Sequence, residues 1–323
     1  FRELEQDKPD DETIQKRVRN NRLEMNIGLR ILNIAGVILI IAGIGVAASY
    51  SYNLISDTAK ALLFYLGGLG ALAAGEYLFR SRKKIFSCGV LGGAIGTLYG
   101  AVFYSYFALN LIDTNTALLL AVLVTIVSIA LSVRYDSVVI LNLGLAGGFL
   151  PFVSYAAANG FSGEMIFPAL CYLFILNLTA LLISFFRRWN TTALISLLLN
   201  YPSVTYLINS GETGPQTLVY VILVFLIYWA AVMSASFTGK TAKAPLTSLI
   251  TLFLDCAIGS ILVYATLYNL DLSGLNAPIS LFMAVLLIFS GYAVKRRLND
   301  QRLFILLFVT GLPYSILVIP MQF

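Results

Sequence analysis

From residue 31 onward, long apolar runs alternate with short polar connections. Most runs are close to the roughly 20 residues that an α-helix needs to cross a hydrocarbon core about 30 Å thick. The pattern predicts an all-α polytopic transmembrane helical bundle of about eleven spans over residues 31–323, preceded by a charged N-terminal segment, residues 1–30. The predicted spans cover residues 31–50, 59–79, 85–109, 117–133, 137–157, 165–186, 190–208, 217–237, 246–268, 279–294 and 303–321.

Composition supports a membrane location. The chain of 323 residues is 59% hydrophobic and 11% charged, with a mean hydropathy of +0.86, whereas ordinary globular domains are roughly 45–50% apolar and 25% charged. Eleven spans and their loops leave no room for a separate soluble catalytic domain within these residues. Because residue 1 is Phe and the chain ends in an apolar run at Phe323, we expect the protein to extend further on both sides.

Lysine and arginine are distributed very unevenly between the two sides of the predicted membrane. With the N-terminus inside, the inner side holds 20 of the 21 basic residues, and only Lys60 lies outside. Lysine and arginine favour the cytoplasmic side of short loops, so we predict a multi-pass protein with a cytoplasmic N-terminus. The basic residues, and the pI near 9.0, then indicate contact with anionic lipid headgroups. The sequence contains no basic patch with interleaved aromatic side chains, so it does not indicate nucleic acid binding.

The inner basic turns recur at a nearly constant interval. Arg80, Arg134, Arg187, Lys240 and Arg296 are separated by 54, 53, 53 and 56 residues. Such an interval predicts tandem two-helix hairpins, each unit having the same orientation as the next. Any series of 20-residue spans with short loops also has a period near 50, so a true repeat and a simple consequence of span length remain alternatives.

The residue types that usually bind metals and cofactors are scarce. Histidine is absent, which excludes imidazole ligation of zinc or haem and the usual proton shuttle. Cys88, Cys171 and Cys256 lie in different apolar segments without CxxC spacing, and we expect them to be buried small apolar residues. No nucleophile has a base at a workable spacing, and no span carries paired carboxylates. We therefore expect no cofactor and no metal, and the sequence favours a protein that is not an enzyme.

Three stretches carry a resemblance to a known family. They are LRILNIAGVILIIAGIGVA, GEYLFRSRKKIFSCGVLGGAIGTLYGAVFYSYFAL and SVRYDSVVILNLGLAGGFLPF, within residues 28–52 and 67–152. In these residues the chain resembles the bacterial membrane proteins of domain of unknown function 2339. The resemblance is carried by residues up to about 190. It implies a many-span protein of the bacterial inner membrane with a charged N-terminal extension, and it implies no known activity.

Asp255 is the strongest candidate for a functional side chain. It lies about ten residues into the ninth predicted span, in the run LFLDCAIG, with no basic residue within a helical turn. Charged side chains inside a membrane are costly and usually have a role. Two interpretations remain open: a carboxylate that couples ions, accepts protons or contacts substrate, and a structural hydrogen-bond partner that burial keeps protonated.

Other polar residues are predicted at a similar depth. Asn177 lies in the sixth span, and Asn200, Tyr201 and Pro202 lie in the seventh, in the run LLLNYPSVTY. A proline frees a backbone carbonyl, and freed carbonyls near the membrane centre form substrate or cation sites in many transporters. The alternative is asparagines that bridge neighbouring helices, with a tolerated kink. The same alternative applies to the kinks expected from other prolines, namely Pro151, Pro168 and Pro313.

Further features of the early spans have simple structural explanations. Glu76 and Arg80 are spaced to pair on one helix face at the inner interface, as an anchor. Glycines of the third span predict close helix packing; they are Gly89, Gly92, Gly93, Gly96 and Gly100. Gly144 and Gly148 predict the same in the fifth span. Aromatic residues toward the outer end of the third span predict an interfacial belt, with a ligand-lining patch as the alternative; they are Tyr99, Phe103, Tyr104, Tyr106 and Phe107.

Three functional classes follow from these observations. The first is a transporter or translocation subunit for a small molecule, an ion or a lipid-linked intermediate, with Asp255, Asn177 and Asn200 as its polar site. The second is a non-catalytic scaffold or assembly protein that recruits a cytoplasmic or membrane partner through the N-terminal segment. The third and weakest is an intramembrane enzyme acting on lipids, which would need a polar cluster near one interface. The sequence favours the first.

Overall fold

The computed structural model of the protein describes residues 34–40, 42–43, 46, 56–81, 84–161, 163–210, 214–238, 244–297 and 300–320. The predicted N-terminal segment and the middle of the predicted basic turn at 240–243 lie outside these ranges. Of the first predicted span, 31–50, only parts are described, and those parts are helical. The chain divides into two compact units, unit 1 (Phe1–Asp113) and unit 2 (Thr114–Phe323).

In unit 1 the two helices that follow the first span form a hairpin. Helix α1 (Asp57–Arg80) is followed by α2 (Lys84–Phe103), which ends in a π-helical turn (Tyr104–Ala108).

In unit 2 the helices follow one another with short connections. They are α3 (Thr114–Tyr135), α4 (Val138–Asn159), α5 (Gly163–Arg187), α6 (Asn190–Asn209), α7 (Pro215–Thr238), α8 (Leu246–Leu254), a π-helical turn (Asp255–Gly259), α9 (Ser260–Asn269), a short 3-10 turn (Ser273–Leu275), α10 (Asn276–Arg297) and α11 (Gln301–Leu317).

The predicted all-α membrane fold is confirmed. Among the described residues, nine helices are long and apolar enough to cross a membrane, with α8, the π-helical turn and α9 forming one of them (Leu246–Asn269). Helix α11 is a shorter apolar helix. Large apolar side chains also face outward, including Phe186 at 76% exposure and Phe289 at 70%. An exterior of this kind is suited to lipid rather than water.

The predicted hairpins are confirmed in both units. Helices joined by a basic turn pack along each other, and the pairs α1/α2, α3/α4 and α10/α11 are the most extensive. In two of the basic turns, α3/α4 and α5/α6, the residue directly after the first helix is left-handed, Asp136 (φ 51°) and Arg188 (φ 59°), so that a helix can end and its partner begin within a few residues. The tight turns predicted at Arg134 to Asp136 and Arg187 to Asn190 therefore share one feature, a single left-handed residue directly after the helix.

Contacts between turns show that the basic turns of unit 2 lie at one end of the bundle. Arg187 Nη1 donates to Asp136 Oδ1 at 2.9 Å, which joins the α3/α4 turn to the α5/α6 turn. The backbone N–H of Ala244, just before α8, donates to Asp300 Oδ2 at 2.6 Å, in the α10/α11 turn. At the opposite end, Asn269 Nδ2 donates to the carbonyl of Ile208 at 3.1 Å. We call the first end the basic end of unit 2.

Glycines allow close helix contacts in both units. A Cβ on Gly144 of α4 would lie 1.9 Å from Ser128 Oγ, so α3 and α4 approach as closely there as glycine permits. In unit 1 the close contact is made by α1, because a Cβ on Gly75 would lie 2.6 Å from Leu91 of α2. Gly96 and Gly100 of α2 have no atom of the described residues within 4 Å of a Cβ position. For these two glycines, close packing stays a prediction.

Candidate functional site

Four of the candidate residues lie in the interior of unit 2. Asn177 on α5, Asn200 and Tyr201 on α6, and Asp255 in the π-helical turn are each at most 2% exposed. Their side chains therefore face other helices rather than lipid. Pro202 follows directly in sequence, but it is on the exposed face of α6 and α6 continues through it without ending.

Asp255 is held by a single hydroxyl. Tyr201 donates its phenolic hydrogen to Asp255 Oδ1. Helical side chains lean toward the N-terminus of their helix, so Tyr201 reaches from α6 toward the basic end, where α6 begins. The second carboxyl oxygen, Oδ2, is buried and has no hydrogen-bond partner among the described residues.

Gly259 makes room for this contact. A Cβ at Gly259 would lie 2.8 Å from Tyr201 Oη and 3.1 Å from Phe225 Cδ2. Any larger residue would therefore push the tyrosine ring or α7 away from the π-helical turn. The glycine is required by the close approach of the neighbouring helices.

The π-helical turn widens the helix near the centre of the span, where Asp255 begins it. Within this turn the carbonyl oxygen of Cys256 accepts a hydrogen bond from Tyr314 Oη of α11 at 2.5 Å. Single π-helical turns are uncommon and are frequently found at functional sites. Asp255 is thus placed by an irregular segment that two other helices, α6 and α11, contact through tyrosine hydroxyls.

A second polar cluster is centred on Asn177. Ser196 Oγ of α6 and Tyr228 Oη of α7 both donate to Asn177 Oδ1, each at 2.7 Å. The amide nitrogen of Asn177 donates to the carbonyl of Leu173 at 2.8 Å. The asparagine therefore joins α5, α6 and α7 at one level of the bundle.

The cluster continues away from the basic end through Tyr220. Asn177 Nδ2 lies 3.4 Å from Tyr220 Oη, and Tyr220 donates to Asn200 Oδ1 at 2.6 Å. The amide nitrogen of Asn200 is buried and has no partner among the described residues. The cluster also meets the Asp255 pair, because the rings of Tyr201 and Tyr228 are 6.3 Å apart between centroids.

Sequence reasoning missed three members of this site, Ser196, Tyr220 and Tyr228. One signal was present: Thr192, Ser196 and Asn200 recur every four residues in α6, which puts them on one helix face. The tyrosines gave no such signal, because tyrosine is common in transmembrane helices and its spacing in α7 does not distinguish an inward hydroxyl from an interfacial one.

The remaining candidates lie apart from these clusters. Pro151 and Pro168 line a separate apolar cavity of about 260 Å³ between α3, α4 and α5, and Pro313 is on the exposed face of α11. In unit 1, Glu76 Oε1 accepts a hydrogen bond from Arg80 Nε at 3.0 Å.

Lys60 of α1 lies beside a carboxylate. Lys60, the basic residue predicted outside, is 5% exposed and pairs with Asp57 at 2.8 Å.

Of the cysteines, Cys256 is buried as expected, but Cys88 is only partly buried and Cys171 is exposed. Burial was therefore wrongly predicted for Cys171.

The chain matches a known protein family. A family model described as "Predicted membrane protein (DUF2339)" matches residues 28–323. The chain belongs to this family. The match continues well past residue 190, up to which the sequence motifs indicated it, and so includes every residue of the two polar clusters. No curated protein and no solved structure matches the chain.

The chemistry open to this DUF2339 protein is set by the groups around Asp255. The titratable side chains near the carboxyl are Tyr201, Tyr228, Cys256 and Tyr314, and none of them is a cation. Ion pairs do occur in the described residues, but Asp255 is in none of them. No group of three or more metal-ligating side chains occurs in the part of the chain that the structure describes. The site can exchange a proton and can hydrogen-bond a small polar group.

Proposed function

We propose that this DUF2339 protein is a transporter or translocation subunit for a small molecule, an ion or a lipid-linked intermediate, and that its cycle includes binding and release of a proton at Asp255. The observation that carries the proposal is the Asp255 carboxyl itself. It lies at the centre of a span and is fully buried; one oxygen is bound by Tyr201, and the other has no partner in the part of the chain that the structure describes.

Release of the proton must change the structure around Asp255. An ionised carboxylate here has no cation beside it among the described residues and costs several kcal/mol. Loss of the proton must therefore be accompanied by entry of water or by movement of α6 against the π-helical turn. A coupling of this kind, between one charge and two arrangements of helices, is what a proton-driven transporter requires.

The neighbouring polar groups support a substrate contact at the same level. Asn200 Nδ2 and Asp255 Oδ2 are both buried, and neither has a hydrogen-bond partner among the described residues. Buried polar groups are almost always paired in proteins, so two unpaired ones in one region suggest that a partner binds there in another state. We assign Asn177, Asn200 and Tyr201 to this contact, with Asp255.

We also propose that the basic end of unit 2 faces the cytoplasm of a bacterial cell and that the membrane is the inner membrane. The distribution of lysine and arginine supports this orientation. The arginines at this end, including Arg187 and Arg188, would then lie among anionic headgroups. Recruitment of a protein partner by the N-terminal segment would be an additional role.

The test is proton flux in vesicles that contain the purified protein and an entrapped pH-sensitive dye. An imposed membrane potential should drive protons through the wild-type protein, and Asp255→Asn should abolish this flux. Asp271→Asn is the matched control: Asp271 is exposed at the end opposite the basic turns, and its left-handed backbone (φ 56°) suits asparagine. Equal flux in all three proteins, or no flux in the wild type, would contradict the proposal.

A further inference from the structure

A small polar cavity lies at the basic end of unit 2, among α5, α6, α7 and α8. Its volume of about 20 Å³ is sufficient for one water molecule. Its lining includes four polar residues, Ser184, Asn190, Ser248 and Thr251.

The helical register places this cavity directly beside the two polar clusters. Four helices each contribute a lining residue that is three or four positions from a cluster residue, on the side toward the basic end. These pairs are Leu181 and Asn177, Ala193 and Ser196, Val232 and Tyr228, and Thr251 and Asp255. Since a helix rises 1.5 Å per residue, the cavity is about one turn, roughly 5 Å, from the level of Asp255.

The polar lining can hold a water. Ser184 Oγ donates to the carbonyl of Trp189 at 2.9 Å, and Thr251 Oγ1 donates to the carbonyl of Thr247 at 2.8 Å. With their hydrogens used in this way, both oxygens remain available as acceptors. A buried water needs two to four polar partners, and the lining offers that number.

The cavity also has a connection toward the aqueous side. Asn190 is the first residue of α6 and is half-buried, directly after the turn that carries the exposed Arg187 and Arg188. Ser248 and Thr251, deeper in the cavity, are 4% and 0% exposed. The polar lining therefore extends from a turn at the membrane surface to a point one helical turn from Asp255.

We infer that this cavity holds water and is the route by which protons reach Asp255 from the basic end of unit 2. The inference rests on the proposed function, because it assumes that Asp255 exchanges a proton. In each cycle one proton passes from cavity water to the carboxylate and is later released to water at the opposite end of unit 2, and only O–H bonds form and break. Between the cavity and Asp255 the proton must pass the level of the hydroxyls of Ser196 and Tyr228.

Cysteine labelling tests whether water reaches the cavity. The background has Cys88 and Cys171 replaced by alanine and keeps the buried Cys256, whose own labelling in this background is subtracted. Thr251→Cys should react with Ag⁺, a membrane-impermeant thiol reagent about the size of the water that the cavity admits, applied on the side that labels Gln301→Cys, an exposed position at the basic end. Ile250→Cys is the matched control, because Ile250 is adjacent in sequence but faces outward.

We expect position 251 to react about tenfold faster than position 250 or more, because the reactive thiolate forms in water and not in lipid. Reaction at 251 from the opposite side only, from neither side, or at the same rate as at 250 would overturn the inference.

Proton flux gives the second measurement. Thr251→Val keeps the side-chain shape and removes the hydroxyl, and we expect about tenfold slower flux; Thr251→Ser should restore it. Unchanged flux in Thr251→Val would overturn the route. If Asp255→Asn abolishes flux while Thr251→Cys is not labelled, only the route is wrong. If Asp255→Asn leaves flux unchanged, the proposed function is itself wrong.

Discussion

The hydrogen bond between Tyr201 and Asp255 can be tested by removing one oxygen atom. Tyr201→Phe keeps the ring that packs 6.3 Å from Tyr228 and deletes only the hydroxyl. The carboxyl of Asp255 then has no hydrogen-bond donor at Oδ1 and still none at Oδ2. We expect the folded state to be destabilised, because a buried polar group has lost its partner.

The magnitude follows from what is left unpaired. Removing one partner of a buried hydrogen bond costs about 1–3 kcal/mol, since the other partner stays desolvated. Replacing both partners by apolar groups of similar shape is close to neutral. Tyr201→Phe should therefore cost about 1–3 kcal/mol alone and far less in a background of Asp255→Leu. The coupling energy between the two substitutions should be about 1–2 kcal/mol.

The assay is reversible unfolding in mixed micelles, with a denaturing detergent as titrant and the fluorescence of the half-buried Trp229 of α7 as the signal. The matched control is Tyr268→Phe, which deletes the same atom from a side chain that is 77% exposed. This control should change the free energy of unfolding by less than about 0.5 kcal/mol.

Two results would refute the reasoning. One is a coupling energy below about 0.5 kcal/mol between positions 201 and 255, which is the range expected for independent sites. The other is a loss of stability in Tyr201→Phe no larger than in Tyr268→Phe. Either result would mean that the hydroxyl and the carboxyl do not depend on each other in the folded protein.

Two further predictions use the same titration. Gly259→Ala places a Cβ 2.8 Å from Tyr201 Oη and should cost about 1–3 kcal/mol by overpacking. Gly96→Ala, with no described atom within 4 Å of the new Cβ, should be neutral or slightly stabilising, and equal costs would contradict overpacking at Gly259. Arg187→Ala removes the bond to Asp136, but these side chains are 38% and 68% exposed, so the loss should be below about 1 kcal/mol and should decrease with added salt. A salt-independent loss well above that range would be inconsistent with an exposed ion pair.

The helix boundaries were readable from the sequence. The span predicted at 190–208 is observed at Asn190–Asn209, and the span predicted at 246–268 is observed at Leu246–Asn269. The physical reason is that transfer of a helix into lipid depends on the summed hydropathy of about 20 consecutive residues, which is a local property. The hairpin arrangement was also predictable, because short turns leave adjacent helices no choice but to pack antiparallel.

The inward face of each helix was decided by tertiary structure. In a soluble protein an apolar stripe marks the buried face, but in a membrane both lipid and protein interior are apolar, so hydropathy does not distinguish them. Hydropathy therefore did not show that Cys171 faces outward, or that Gly75 lies close to Leu91 of the next helix. The same reasoning explains why Tyr220 and Tyr228 were not foreseen as partners of the asparagines.

In the candidate site, too, the sequence identified the costly charge, and the tertiary structure identified what it contacts. Asp255 was identifiable from sequence alone, because a carboxyl in an apolar run is costly wherever it faces. Its partner Tyr201 and the adjacent Asn200 were near enough to a proline to be singled out, although Pro202 itself is on the other face of α6. No local pattern shows that α6 meets the π-helical turn, because the contact of Tyr201 with Asp255 joins residues 54 positions apart in the chain. The sequence by itself determined the spans and the costly charge, and the packing of helices decided what that charge contacts.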